Sequence, residues 1–146
     1  MKDNERCLCE SPKVLIFSCS GGSNVGQLSN QAAVDLTKSG KGRLFCLAGI
    51  GAHVSTMIES AKAADLLVAI DGCTVKCAAK TLDHAGLNPQ VSVVITDMGI
   101  EKSPQLSLKE EDCRLVAEKV GEGISACLKP KLSQKELQKT EESAGA

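Results

Sequence analysis

The chain has very few aromatic side chains: among its 146 residues there are two Phe and neither Tyr nor Trp. We therefore do not expect a surface that stacks nucleic-acid bases. Basic residues are not in excess, with 17 Lys and Arg against 18 Asp and Glu, and they form no cluster, so no nucleic-acid partner is expected either. No apolar run approaches the roughly 20 residues of a membrane-spanning helix, and the polar start MKDNERC does not resemble a signal peptide. These features predict a cytoplasmic protein that does not associate with membranes.

Cysteine, by contrast, is abundant, with eight residues in the chain. A domain of this length buries enough surface to fold without disulfides or metal. The expected reducing compartment also argues against a disulfide scaffold. The thiols are therefore interpreted as ligands or reactants.

Between residues 13 and 128, apolar strand-like runs alternate with segments of helical period. Continuous apolar strands separated by helices are typical of a parallel sheet covered on both faces. The sequence predicts a single α/β domain over 13–128: a three-layer, doubly wound, Rossmann-like sheet of about four strands. A 2-1-3-4 strand order would place a switch point between the first and third strands. Residues 1–12 are expected to form an N-terminal segment and residues 129–146 a charged tail. The predicted strands are 13–20, 43–51 with its turn, 66–72 and 91–97, and the predicted helices are 25–40, 54–65, 73–86 and 109–128.

Four cysteines fall near the carboxyl ends of these strands. Cys19 closes the first strand, Cys46 lies towards the end of the second, Cys73 follows the third, and Cys77 comes one helical turn later. Parallel strands end at one edge, and residues four apart share a helical face, so the four thiols are expected to converge there. A tetrahedral set of four thiolates suits zinc, and it also suits an iron-sulfur cluster. Helix N-termini at the same edge are expected to lower the thiol pKa values.

The other four cysteines have different settings. Cys113 and Cys127 lie in the apolar pattern of the last helix and are predicted to pack in the core. Cys7 and Cys9 lie in a polar segment, where we favour tail thiols over an auxiliary ligand pair.

Several common motifs are missing. No C-x-x-C is present, no Arg stands six residues after a strand-end cysteine as in phosphatase loops, and SGGSN (20–24) lacks the Lys-Ser/Thr of a Walker loop. The glycine-rich stretch can offer N–H groups to a small anion, although a tight strand-to-helix turn is the preferred interpretation.

Other polar residues at the predicted edge are weaker candidates. Asp71 and Asp97 close the third and fourth strands, where Asp more often satisfies turn N–H groups than orients a ligand. His53 is a candidate fifth group or replacement ligand, whereas His84 is expected to point away. Lys76 is a candidate source of positive charge, with a solvated position as the default.

The stretch Asp71-Gly72-Cys73, together with Cys77, Cys19 and Cys46, resembles the DGC-domain family, named after its central motif. The resemblance covers residues 13–128. Members are regarded as zinc-binding proteins with four candidate chelating cysteines, and their biochemical role is not established. The resemblance implies that the four candidate chelators are Cys19 in FSCSG, Cys46 in FCLAGIGAH, Cys73 in IDGC and Cys77 in VKC.

Three hypotheses follow. The first is a zinc-binding module for metal sensing, buffering or delivery. The second is a thiol enzyme for sulfur, metalloid or redox chemistry, with Cys73 as nucleophile, Cys77 as resolving thiol and a thiol compound as a candidate substrate. The third is an iron-sulfur protein. A closed shell of four cysteines leaves no position for water, which counts against a zinc hydrolase.

Overall fold

Two strands that are apolar except for their last residues form the centre of the sheet in the computed structural model. The structure describes residues 11–144, with side chains as far as Lys129. Strand β1 (Val14–Ser18) and strand β3 (Leu66–Asp71) are buried at every position. They pair in parallel, with Leu15 opposite Leu67. Both faces of these strands are covered, so their sequences show no alternation of apolar and polar residues.

The sheet has four strands, all parallel, in the order β2-β1-β3-β4. The outer strands are short: β2 spans Arg43–Leu44 and β4 spans Val91–Val94. The predicted α/β class is thereby confirmed. The order reverses between β1 and β3, and the carboxyl edge at such a switch point is where α/β proteins bind ligands.

Helices cover the two faces of the sheet. Helices α1 (Asn24–Lys38) and α5 (Glu110–Ala144) lie on one face, and α2 (Leu47–Gly51), α3 (Ser55–Lys62) and α4 (Cys77–His84) lie on the other. Each face has its own hydrophobic cluster, so the three predicted layers are present.

The side chains of the central strands alternate between the two clusters. Ile16 and Val68 pack in the α1/α5 cluster with Val120, while Phe17 packs in the opposite cluster with Leu82. The described helices include none that is both long and apolar enough to cross a membrane.

Several element boundaries differ from the prediction. The second strand ends at Leu44, because Cys46 caps the short helix α2 that replaces the rest of the predicted strand. The fourth strand ends at Val94 and continues as a 3-10 turn over Ile95–Met98. The last helix continues past Leu128 to Ala144, consistent with the Lys, Glu, Gln and Leu residues of that stretch, which favour helix. The predicted tail thiols Cys7 and Cys9 lie outside the described residues.

Candidate thiol site at the carboxyl edge of the sheet

The four predicted cysteines come to the same edge of the sheet. Cys19 directly follows β1, Cys46 is the N-cap of α2 just after β2, Cys73 follows β3, and Cys77 is the first residue of α4. Strands β2, β1 and β3 are neighbours, so their carboxyl ends lie side by side. The six cysteines within the described part of the chain are all free thiols.

These thiols do not form a ready-made metal shell. Among the side chains that the structure describes, residues 11–129, no three or more Cys, His, Asp or Glu are grouped so that they could hold a metal ion. Cys77 is nevertheless near enough to Cys19 to raise the pKa of that thiol. Four cysteine thiols are donors that suit zinc. In the described structure, however, the four sulfurs are not gathered around one point.

Asp71, the first residue of the Asp-Gly-Cys motif, caps helix α4. Its side chain is buried, and its two carboxylate oxygens accept hydrogen bonds from the backbone N–H groups of Ala78 (2.6 Å) and Ala79 (3.1 Å). Burial raises the pKa of Asp71, while these two N–H groups and the charges of nearby lysines oppose the rise. Asp71 therefore satisfies turn N–H groups, the more common role for an Asp at a strand end.

This cap sets the start of α4. Lys76 precedes the helix in the left-handed conformation, with φ 56°, and its exposed side chain offsets part of the rise in the Asp71 pKa. Cys73 consequently lies in a turn, so the prediction that Cys73 and Cys77 share one helical face is wrong. Helical periodicity places two residues on one face only if both lie inside the helix.

Gly72, the second residue of the motif, allows the end of β3 to touch helix α1. A Cβ atom at this position would lie 2.8 Å from the backbone carbon and oxygen of Val25 and 2.9 Å from the nitrogen of Gly26. The Gly72 N–H group donates to Cys19 Sγ at 3.1 Å. The glycine thus joins two elements and supplies a hydrogen-bond donor to the first thiol.

Cys73, the third residue, has a cationic neighbour. Its half-buried Sγ lies 3.6 Å from Nζ of Lys102, in the segment after the 3-10 turn. Lys102 is not among the residues predicted from the sequence. Its only signal was a position after the fourth strand, whose carboxyl end reaches the same edge.

Cys19 is the thiol most affected by its surroundings. Burial raises its pKa, and Asp71 and Cys77 add to the rise, while the Gly72 N–H and Ser29 oppose it. The Ser29 hydroxyl donates to the Ile70 carbonyl oxygen at 2.6 Å, so we regard Gly72 as the stronger donor to the sulfur. The prediction that helix N-termini lower the thiol pKa values is wrong for Cys19.

Two N–H groups at the start of α1, after the glycine-rich turn, are used within the protein. Gly26 N–H donates to the Ser23 side chain at 3.2 Å, and Asn24 N–H donates to the Ser103 carbonyl oxygen at 3.0 Å. These contacts support a strand-to-helix turn over an anion site.

The two histidines contact each other at the far end of α4. The rings of His53 and His84 meet edge to face, with centroids 5.1 Å apart. Seven residues of helix, about 10 Å, separate His84 from Cys77. Neither histidine joins the thiols in a group of donors within the described chain, so the role of His53 as a fifth group receives no support. Asp97 is an exposed residue of the 3-10 turn.

A cavity of about 650 Å³ opens beside Cys46. Its polar lining comes from Ser18, Ser20, Asn30 and Thr81, and none of its lining residues is charged. This volume is in the range of small-molecule sites. Cys46 is exposed at this cavity and is therefore reachable from solvent.

Cys113 and Cys127 lie away from this edge. Both are half-buried on α5 and pack against the α1/α5 cluster, so they border the core and do not lie inside it. Burial raises the pKa of Cys113, and the nearby Asp35 and Asp112 add to the rise.

Comparison with known proteins identifies the family. The DGC domain matches this chain over residues 15–120. The chain is 30% identical over 93 residues to the anaerobic and virulence modulator AnvM of Pseudomonas aeruginosa, an alignment that covers 64% of this chain and 71% of AnvM. No solved structure matches the chain. The matched range includes the Asp-Gly-Cys motif and the four cysteines at this edge, and the chain belongs to the DGC-domain family.

Proposed function

We propose that this protein binds zinc through the thiolates of Cys19, Cys46, Cys73 and Cys77 and acts in metal sensing, buffering or delivery. One observation carries the proposal: three of the four sulfurs each have an N–H donor. The donors are Gly72 N–H to Cys19 at 3.1 Å, Gly49 N–H to Cys46 at 3.3 Å and Lys102 Nζ to Cys73 at 3.6 Å. Contacts of this kind stabilise negative charge on sulfur and are typical of metal-thiolate centres.

A binding role also fits the relative. AnvM is named a modulator, a term that describes regulation and not a reaction. A closed zinc-thiolate centre, which has no position for a reacting water, suits such a role.

The proposal requires the thiols to come together when the metal binds. Cys73 is followed by three exposed residues, Thr74, Val75 and Lys76, before α4 begins. An exposed turn has few packing contacts to break when it moves.

Elemental analysis of protein purified anaerobically with reductant tests the proposal. About one zinc ion per chain is expected in the wild type and in Cys113→Ser, and its loss is expected in Cys73→Ser. Cys113 is a matched control because it is also a half-buried free thiol, but it lies on α5. Metal-free protein from zinc-replete cells would overturn the proposal, and bound iron with a coloured product would instead identify a cluster.

A second candidate, a thiol enzyme with Cys73 as nucleophile and Cys77 as resolving thiol, is favoured by the contact of Lys102 with Cys73. A cation beside a sulfur attracts the negative charge of an attacking thiolate. Iodoacetamide labelling of zinc-free protein, followed by mass spectrometry, is expected to modify Cys73 at least about tenfold faster than Cys113 if this candidate is correct. Equal slow labelling of both would rule it out.

A further inference from the structure

One asparagine holds the loop that carries Lys102. The Asn24 side-chain Nδ2 donates to the Glu101 carbonyl oxygen at 2.8 Å, and its Oδ1 accepts from the Ser103 N–H at 2.7 Å. The Asn24 N–H also donates to the Ser103 carbonyl oxygen at 3.0 Å. The backbone on both sides of Lys102 is therefore hydrogen-bonded to Asn24, the first residue of α1.

These hydrogen bonds matter because a mobile lysine side chain makes only weak contacts with an opposite charge. Its long side chain loses rotamer entropy when it is held in one place, and exposed pairs of charges contribute little to stability. The Lys102 side chain is exposed, and its Nζ nevertheless lies 3.6 Å from Cys73 Sγ. Because Asn24 holds the backbone of Glu101 and Ser103, only the Lys102 side chain has to be ordered to make this contact.

The same end of α1 contacts the motif itself. Gly72 lies against the backbone of Val25 and Gly26, so Asn24 and the Asp-Gly-Cys stretch meet on one helix end. The position of Lys102 relative to Cys73 is thus set through α1 on both sides: by Asn24 for the lysine loop and by Gly72 for the thiol.

We infer that Lys102 is the cationic partner of the thiolate site at Cys73, and that Asn24 is the positioning residue that holds it there. The inference rests on the proposed zinc function. A zinc ion with four thiolates carries two net negative charges, and a nearby ammonium offsets part of that charge.

Zinc affinity, measured by competition with a chromogenic chelator, tests the inference. Lys102→Ala and Asn24→Ala are each expected to weaken zinc binding about tenfold, as removal of an outer-shell partner does at other metal sites. Lys102→Arg is expected to retain the wild-type affinity because it keeps the charge. Lys109→Ala, which removes a charge from another exposed lysine, is expected to have no effect.

The double variant Asn24→Ala/Lys102→Ala separates positioning from other roles. If Asn24 acts only through Lys102, the double variant binds zinc as well as Lys102→Ala alone, because the two effects are coupled. A further tenfold loss in the double variant would overturn the positioning role of Asn24. Wild-type affinity in Lys102→Ala would overturn the inference while leaving the proposed zinc function intact.

A second readout keeps the inference testable if the wild type binds no zinc, the outcome that overturns the proposed function. In that case the iodoacetamide labelling rate of Cys73 is compared in the wild type, Lys102→Ala, Lys102→Arg and Asn24→Ala. Slower labelling in the two alanine variants, recovery in Lys102→Arg and an unchanged rate at Cys113 would support the inference. Equal rates at Cys73 in all four proteins would overturn it.

Discussion

At the scale of single residues, the Asp-Gly-Cys motif divides its work between structure and chemistry. Asp71 caps a helix, Gly72 allows close contact between two backbones, and Cys73 presents a thiol beside Lys102. Of the three residues, only the cysteine has a side chain available to a ligand. Asp71 and Gly72 position the cysteine.

Asp71→Ala is expected to lower the free energy of unfolding by about 2 kcal/mol. The substitution leaves the N–H groups of Ala78 and Ala79 without their acceptor at a buried helix end. Urea denaturation measures the change. Asp83→Ala, an exposed position in the same helix, is the control and is expected to change stability by less than about 0.5 kcal/mol. Equal effects of the two substitutions would show that the cap contributes nothing specific.

At the scale of elements, the end of β3 packs so closely against the start of α1 that no side chain fits at Gly72. Gly72→Ala is expected to cost about 1–3 kcal/mol, because the new methyl group meets the Val25 backbone, which cannot rotate away as a side chain can. Gly21→Ala is the matched control at the same edge, where a Cβ atom has nothing within 4 Å. Thermal or urea unfolding of the two variants distinguishes them, and equal stability would contradict the close contact.

The short elements α2 and α4 explain where prediction from sequence failed. Each begins at a cap: Cys46 Sγ accepts from Gly49 N–H, and Asp71 accepts from the first turn of α4. The first bond begins α2 where a longer β2 was predicted, and the bonds to Asp71 begin α4 later than predicted. Apolar pattern alone does not reveal such bonds, because they depend on side-chain geometry.

At the scale of the whole molecule, the two hydrophobic clusters predict a fold that is stable without metal. The clusters lie on opposite faces of the sheet. The four thiols of the candidate site lie at the sheet edge, and Cys19 borders one cluster. Chelation of zinc is therefore expected to leave the helical circular dichroism and a single cooperative unfolding transition in place. Bound zinc is expected only to raise the melting temperature by mass action. Loss of the secondary structure on chelation would contradict this and would make the metal structural.

The sequence by itself determined the α/β class and the common edge of the four thiols, whereas the structure decided the strand order. The class and the common edge follow from apolar runs and helical periodicity, which are local, and from the geometry of parallel strands, which is general. The tertiary structure alone decided which groups face the thiols. Lys102 stands 29 residues from Cys73, and Asn24 stands 77 and 79 residues from the two backbone groups that its side chain binds. Contacts over such separations depend on how the finished layers pack, and no spacing within the chain encodes them.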